Sequence, residues 1–303
     1  MNIGIVGAGG VGGYLAQRLA EAGERVYLVA RGAHLEAIRE RGICVKTQAG
    51  VTCSAPAAVS DDPADFGKSM DVVLFCVKGY DLQEAARKAA PMISPDTLLV
   101  PLGNGVGNAE VLRRLYPGHA VANGAVYIVS HIAEPGVVAL GGRGALLVMG
   151  MEGGETPPAL TALAEALQKA GVKTKISGDI TTDVWKKYLL IAAMGTLTSC
   201  HNVPMGPVLQ KHRKELEEAF GEILAVGVAE GAKLGKEDVE SVRRQLEKVP
   251  HDAPTSMWLD FKAGRKTELE QLTGYVVRKA REHGIDVPVM RRCYKILCEK
   301  AGR

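Results

Sequence analysis

A glycine-rich segment near the N-terminus constrains the fold of this chain more than any other feature. Residues 7–12 satisfy the pattern G-x-G-x-x-G, after an apolar segment at 3–6 that predicts a strand. Residues 10–22 predict a helix that the segment opens. Glycine there permits a tight turn, a close approach of the backbone to a pyrophosphate and close packing of helix on strand. This context favours a dinucleotide-binding loop over a connection that merely tolerates glycine. The loop consists of Gly7, Ala8, Gly9, Gly10, Val11 and Gly12.

The end of the second predicted strand indicates which dinucleotide binds. A carboxylate at this point would bond a ribose 2′-hydroxyl and favour NAD. The chain instead has Ala30 near that position and Arg31 beside it. An arginine can pair with a 2′-phosphate through its fork of donors, so the sequence favours NADP. The alternative is a surface arginine at the end of a strand.

The pattern of apolar residues predicts two domains. Short apolar segments alternate with helical patterns in the first half, which is typical of a parallel sheet covered by helices. Residues 121–148 predict strands joined by turns, one of them at Glu134-Pro135-Gly136. After residue 178 the glycines become sparse, and only helices are predicted. We therefore expect an α/β Rossmann-type domain at 1–178 and an all-helical domain at 179–303. The predicted helices of the second domain span 182–198, 211–234, 236–248, 255–262 and 267–283.

Charge, cysteine usage and hydropathy exclude several classes of protein. The net charge is +3, and no dense basic run suggests nucleic acid as a partner. The longest nearly uncharged apolar stretch, residues 188–197, is far shorter than the ~20 residues of a membrane-spanning helix. No basic-then-apolar signal segment opens the chain. The six cysteines form no C-x-x-C pair, so we expect reduced thiols and a cytoplasmic location.

Lys187 is the strongest candidate for chemistry in the second half. On a helix it shares a face with apolar side chains, and burial would lower its pKa and make it a usable proton donor near neutral pH. The alternative is a lysine whose ammonium group extends into solvent. Its neighbours on that face are Val184, Leu190, Ile191 and Met194.

Three further residues have structural explanations beside functional ones. Glu268 falls in a first helical turn, where a carboxylate complements the helix dipole. Ser256 follows Pro254-Thr255 and could be a helix-start residue. Asn104-Gly105, after a predicted strand, could form a plain turn.

Taken together, the glycine loop, the candidate residues and the segments around them resemble the ketopantoate reductase (2-dehydropantoate 2-reductase) family along nearly the whole chain. The resemblance implies an N-terminal Rossmann domain, a C-terminal helical domain and an active site in the cleft between them. It also implies hydride transfer from NADPH to the ketone of a 2-keto acid, in pantothenate biosynthesis. The matching segments are 3–13, 28–31, 76–78, 103–107, 184–187, 255–257, 267–270 and 283–288.

The resemblance also implies a role for each candidate residue. Lys187 resembles the general acid that protonates the ketone oxygen and stabilises the developing alkoxide. Ser256 is similar to the serine that binds the substrate carboxylate, and Asn104 to the asparagine where nicotinamide and substrate meet. Glu268 is similar to the carboxylate that contacts both. The residues implied to hold NADPH beside the glycine loop are Arg31, Lys78, Asn104, Ser130 and Glu268.

The chain departs from the family pattern at the substrate. Three positions that carry amide side chains in the family are Ile191, Gly195 and Met205 here. An apolar wall lacks the hydrogen bonds with which a site rejects analogues that lack a hydroxyl. We therefore expect that ketopantoate is a poor substrate or is not the substrate.

Three hypotheses follow from the sequence. The first is an NADPH-dependent 2-keto-acid reductase, with ketopantoate as the default substrate. The second is a reductase of the same architecture that acts on a more apolar carbonyl compound. The third is a non-catalytic NADP-binding sensor, against which the intact Lys187, Glu268, Asn104 and Ser256 argue. A small molecule is the expected partner, a homodimer is weakly favoured by the resemblance, and no metal is expected.

Overall fold

The chain forms two compact units in a computed structural model that describes residues 1–302, apart from the side chain of residue 143. The first unit comprises Met1–Gly103 and Asn108–Ile180. The second begins at Thr181 and also contains the short segment Asn104–Gly107. The chain thus divides two residues after the predicted boundary. No sequence pattern indicated that residues 104–107 belong to the helical unit.

A five-stranded parallel sheet forms the centre of the first unit. Its strand order is β5-β2-β1-β6-β7, and every neighbouring pair is parallel. The predicted Rossmann-type sheet is thereby confirmed. The strands are β1 (Asn2–Val6), β2 (Arg25–Val29), β3 (Ile43–Thr47), β4 (Gly50–Ser54), β5 (Ala58–Ser60), β6 (Val72–Phe75), β7 (Leu98–Pro101), β8 (Asn123–Glu134), β9 (Val137–Gly150) and β10 (Lys173–Ile176). The helices are α1 (Gly10–Glu21), α2 (Gly32–Arg41), α3 (Leu82–Lys88), α4 (Asn108–Leu115) and α5 (Pro158–Lys169).

A second sheet of the same unit contains β10, β9, β3 and β4 in that order, with β8 paired to β9. The antiparallel hairpin of β3 and β4 places Cys44 directly opposite Cys53, and the two form a disulfide. The expectation that all six cysteines are reduced is therefore wrong for this pair. The cause is register, because the two residues face each other only when the strands pair as they do here.

The second unit is helical, as predicted. Its helices are α6 (Ile180–His201), α7 (Met205–Lys211), α8 (Arg213–Ala229), α9 (Lys236–Leu246), α10 (Ser256–Lys262), α11 (Tyr275–His283) and α12 (Pro288–Lys300). The helix predicted over 211–234 is interrupted at His212, and the one predicted over 267–283 begins with a π-helical turn at Glu270–Gly274. Among the described residues, no helix is both long and apolar enough to cross a membrane.

Gly7 and Gly12 of the glycine loop are positions at which a side chain does not fit. Gly7 has φ 101°, a conformation that only glycine adopts readily. A Cβ on Gly12 would lie 1.9 Å from the carbonyl oxygen of Gly7, so α1 packs directly on the backbone that ends β1. These glycines therefore serve the tight turn and the close helix–strand packing that the motif predicts.

We expect Gly12→Ala to destabilise the chain, because the added Cβ must displace the Gly7 carbonyl. Overpacking of this kind typically costs about 1–3 kcal/mol in the free energy of unfolding. Urea unfolding followed by circular dichroism measures the change. Gly9→Ala is the matched control, since a Cβ there meets no atom within 4 Å and φ is −67°. Equal stability of the two variants would contradict the packing role of Gly12.

Candidate functional site

A cleft of about 510 Å³ lies in the first unit, where the parallel strands end. Gly7, Ala8 and Gly9 line it, together with Arg31 after β2 and Lys78 after β6. Because the carboxyl ends of parallel strands share one edge of the sheet, three separate segments meet at this place. The loop, Arg31 and Lys78 thus lie where the sequence analysis expects the dinucleotide.

The residues of this cleft fit a phosphate-bearing dinucleotide. The space beside Gly9 is open, since a Cβ there would contact nothing within 4 Å. Gly9 is also the N-cap of α1, so backbone N–H groups without intrahelical partners begin at this point. A helix N-terminus of this kind favours an anion. Gly10, Val11 and Gly12 form the first turn of α1.

Ser130 contacts the same helix start. A Cβ on Gly10 would lie 2.6 Å from the backbone carbonyl oxygen of Ser130 and 2.8 Å from its Oγ. The Oγ atom is buried and has no hydrogen-bond partner among the described residues. Because Gly10 has no side chain, β8 can pack against the loop.

Lys187, Asn104 and Glu268 form a hydrogen-bonded chain in the second unit. The Nζ of Lys187, on α6, donates to Oδ1 of Asn104 at 3.0 Å. The Nδ2 of Asn104 donates to Oε2 of Glu268 at 3.4 Å. Asn104 reaches this cluster because the segment 104–107 leaves the Rossmann unit and joins the helical one. Three of the four residues predicted to act on the substrate thus lie together.

The electrostatics of these three hydrogen-bonded residues suit a proton donor. Burial lowers the pKa of Lys187 to about 8, and the charge of Glu268 opposes that decrease. Glu268 is itself almost fully buried, with 1% of its surface exposed. A lysine with a pKa near 8 is mostly protonated at neutral pH and gives up its proton far more readily than an exposed lysine.

A π-helical turn follows Glu268 and is held by Tyr188, a residue that the sequence analysis missed. The Tyr188 hydroxyl donates to the carbonyl oxygens of Gln271, at 3.1 Å, and of Leu272. A π-helical turn changes the pattern of backbone hydrogen bonds, and such turns are frequent at functional sites. Because Tyr188 is the neighbour of Lys187 on α6, one helix both carries the amine and supports the segment after Glu268.

Ser256 is not brought into hydrogen-bond contact with Lys187, Asn104 or Glu268 in the described part of the chain. It is exposed and is the first residue of α10. The helix N-cap is Thr255, whose Oγ1 accepts from the backbone N–H of Trp258 at 3.3 Å. The predicted substrate role of Ser256 stays a prediction.

Ile191, Gly195 and Met205, at which the chain departs from the family pattern, have apolar surroundings. Gly195 is buried on α6, and a Cβ added there would lie 3.5 Å from Leu272 Cδ1 and 3.6 Å from Met257 Cε. Ile191 and Met205 are half-buried and pack against the same hydrophobic core. Ile191 and Gly195 follow Lys187 at intervals of four residues, so they continue its side of the helix.

A second polar cluster lies at the end of α6, and the sequence analysis did not single it out. The rings of His201 and His212 stack at 3.7 Å, and the ligand atoms of these two residues and Glu215 lie within 4.8 Å of one another. Arg292 also donates to the Glu215 carboxylate. Because this guanidinium neutralises the carboxylate, the cluster is balanced in charge without an ion.

Comparison with known proteins identifies the family. Residues 3–152 match the model of ketopantoate reductase PanE/ApbA, and residues 179–301 match the model of its C-terminal domain. The 2-dehydropantoate 2-reductase of Halobacterium salinarum is 31% identical over 96% of this chain and 96% of its own length.

Solved structures agree with these matches. A PanE/ApbA family ketopantoate reductase from Ralstonia eutropha JMP134 is 32% identical, covers 100% of this chain and 99% of its own, and has a TM-score of 0.91. D-mandelate dehydrogenase, in a ternary structure with NADH and anilino(oxo)acetate, shares the fold at 21% identity with a TM-score of 0.89, covering 100% of this chain and 99% of its own. The chain therefore belongs to the ketopantoate reductase PanE/ApbA family of oxidoreductases.

Proposed function

We propose that this protein is an NADPH-dependent reductase of a 2-keto acid, similar to 2-dehydropantoate 2-reductase. The observation that carries the proposal is the hydrogen-bonded series Lys187–Asn104–Glu268, in which an amine with a lowered pKa donates to Asn104 and Asn104 donates to Glu268. A non-catalytic NADP-binding protein has no need of such an amine.

Lys187 is the proposed general acid. As the carbonyl carbon is reduced, the charge of the ammonium group stabilises the alkoxide that develops on the ketone oxygen. The ammonium group donates its proton to that oxygen. Asn104 orients the amine by accepting one of its hydrogens. Glu268 keeps the amine protonated at neutral pH, because its charge opposes the effect of burial on the pKa. Ser256 is the proposed partner of the substrate carboxylate.

NADPH is the proposed cofactor and supplies the hydride when it is bound. Gly7 to Gly12 would hold its pyrophosphate, and Arg31 and Lys78 would pair with the 2′-phosphate, since both line the cleft beside the loop. Ser130, Asn104 and Glu268 are the remaining proposed contacts.

A second candidate function is reduction of a keto acid more apolar than ketopantoate. The apolar surroundings of Ile191, Gly195 and Met205 favour it, because they offer no side-chain amide to a substrate hydroxyl. D-mandelate dehydrogenase shows that the fold accommodates an enzyme named for an aromatic hydroxy acid.

Replacing Lys187 by Ala is expected to lower kcat by about 10²–10⁴-fold, the usual contribution of a general acid. The affinity for NADPH should remain nearly unchanged. NADPH oxidation with a panel of 2-keto acids measures the rate, and fluorescence titration measures the affinity. Lys186→Ala is the matched control, because the neighbouring Lys186 forms an ion pair with Asp238 at 3.0 Å. An unaltered kcat in the Lys187 variant would remove its assigned role.

The pH dependence of kcat/KM provides a second test. Because the protonated amine is the active form, kcat/KM should fall as the pH rises through about 8. Glu268→Gln removes the charge that raises the pKa of Lys187, so the alkaline limb should move to lower pH. Glu270→Gln serves as the control, since that carboxylate contacts Arg278 and Tyr294. A limb that stays in place in the Glu268 variant would argue against this coupling.

The two candidate substrate classes are separated by a matched pair of keto acids. Ketopantoate and 2-oxo-3,3-dimethylbutanoate differ only by the terminal hydroxyl. A site that hydrogen-bonds that hydroxyl rejects the analogue without it by about 10⁴-fold, whereas an apolar wall does not. We expect kcat/KM for the analogue to equal or exceed that for ketopantoate, and Ile191→Asn to shift the ratio towards ketopantoate. A strong preference of the natural chain for ketopantoate would refute the second candidate.

A further inference from the structure

His34 connects the glycine loop to a turn of the second sheet. It lies in the first turn of α2, three residues after Arg31, and lines the proposed nucleotide cleft. Its Nε2 is 2.9 Å from the carbonyl oxygen of Ala8. Its Nδ1 is 2.9 Å from the backbone nitrogen of Gly136, in the turn between β8 and β9.

These two contacts select one form of the imidazole. A carbonyl oxygen can only accept, so Nε2 must carry a hydrogen and donate it to Ala8. A backbone N–H can only donate, so Nδ1 must keep its lone pair and accept from Gly136. Only the neutral ring protonated on Nε2 satisfies both. Burial lowers the pKa of His34, which favours this neutral form at pH 7.

The turn that holds the ring is itself fixed. The carbonyl oxygen of Gly136 accepts from the backbone N–H of Cys44 at 2.9 Å, and Arg41 donates to the carbonyl oxygen of Pro135. The imidazole therefore connects an anchored turn with the Ala8 carbonyl of the glycine loop.

Holding the Ala8 carbonyl also determines the direction of the next N–H. In a trans peptide the C=O of one residue and the N–H of the following residue point in opposite directions. The Ala8 carbonyl points to His34, so the Gly9 N–H points away from it. This peptide plane rotates about ψ of Ala8 and φ of Gly9, and the glycine at position 9 makes the rotation easy. A rotated plane would present a carbonyl where an anion needs a donor.

We propose that His34 is a positioning residue for the cofactor, which prevents rotation of the Ala8–Gly9 peptide and so keeps the Gly9 N–H available to the pyrophosphate. The inference rests on the proposed function, because it assumes that the cleft holds NADP. It concerns the pyrophosphate only, and the contacts of the 2′-phosphate and the adenine are independent of it.

Two variants separate the two bonds of the ring. His34→Gln can still donate to the Ala8 carbonyl through its side-chain amide. His34→Asn keeps an acceptor near Gly136 but is too short to reach Ala8. We expect the Kd for NADP⁺, measured by calorimetry on the full chain, to rise about tenfold in the Asn variant and to stay near the natural value in the Gln variant.

Adenosine 2′-monophosphate is the matched ligand, because it has the 2′-phosphate but no pyrophosphate. Its Kd should be the same in all three proteins, with thermal unfolding as a check that the variants fold. An unchanged Kd for NADP⁺ in the Asn variant, or an equal loss for both ligands, would overturn the inference. A natural chain that binds neither ligand would instead refute the proposed function, and the inference with it.

Discussion

Helix α1 can lie against the end of β1 only because Gly12 has no side chain, and the first unit is organised around that contact. The contact places the N-terminus of α1 at the carboxyl edge of the parallel sheet, where its free N–H groups and dipole favour an anion. β2 and β6 are the neighbours of β1, so the residues after them, Arg31 and Lys78, reach the same edge. The Gly12 contact and the order of the strands thus bring a helix terminus and two cations to a single cleft.

The second unit positions the residues of the proposed site by a different means. Lys187 lies on a helix whose buried residues are mostly apolar, and an amine removed from water needs polar partners to remain charged. Glu268 provides the opposite charge, and Asn104 lies between the two as both acceptor and donor. The asparagine comes from a segment that follows β7, which is why a residue of the N-terminal half completes a group on the helical unit.

The sequence predicts those parts of the fold whose residues are buried in a regular pattern. Strands β1, β2, β6 and β7 are apolar runs, and the glycine motif marks the start of α1. Strand β4 carries no such signal, since it is largely exposed, with Val51 57% exposed. Neither β4 nor the strands before and after it in the sequence, β3 and β5, were predicted. The disulfide between Cys44 and Cys53 depends on the register of that unpredicted hairpin.

The grouping of the site residues has a similar limit. Lys187 is 83 residues from Asn104, and Asn104 is 164 residues from Glu268, so no helical or strand periodicity relates them. Each residue alone has an ordinary structural explanation, and the prediction of a joint role came from the family resemblance. The contacts of His34 and Tyr188 were missed because both residues bond to backbone carbonyls, which leave no trace in the side-chain pattern.

The π-helical turn after Glu268 accommodates one extra residue of the chain between that carboxylate and α11. A turn of this type contains one residue more than a regular α-helical turn. Since the extra residue is accommodated within the wide turn, deleting one residue there would let the segment become a regular α-helical turn and would leave the residues on either side nearly in place. What depends on the wide turn is its backbone carbonyls, since the Tyr188 hydroxyl donates to those of Gln271 and Leu272 and a regular turn would present them differently.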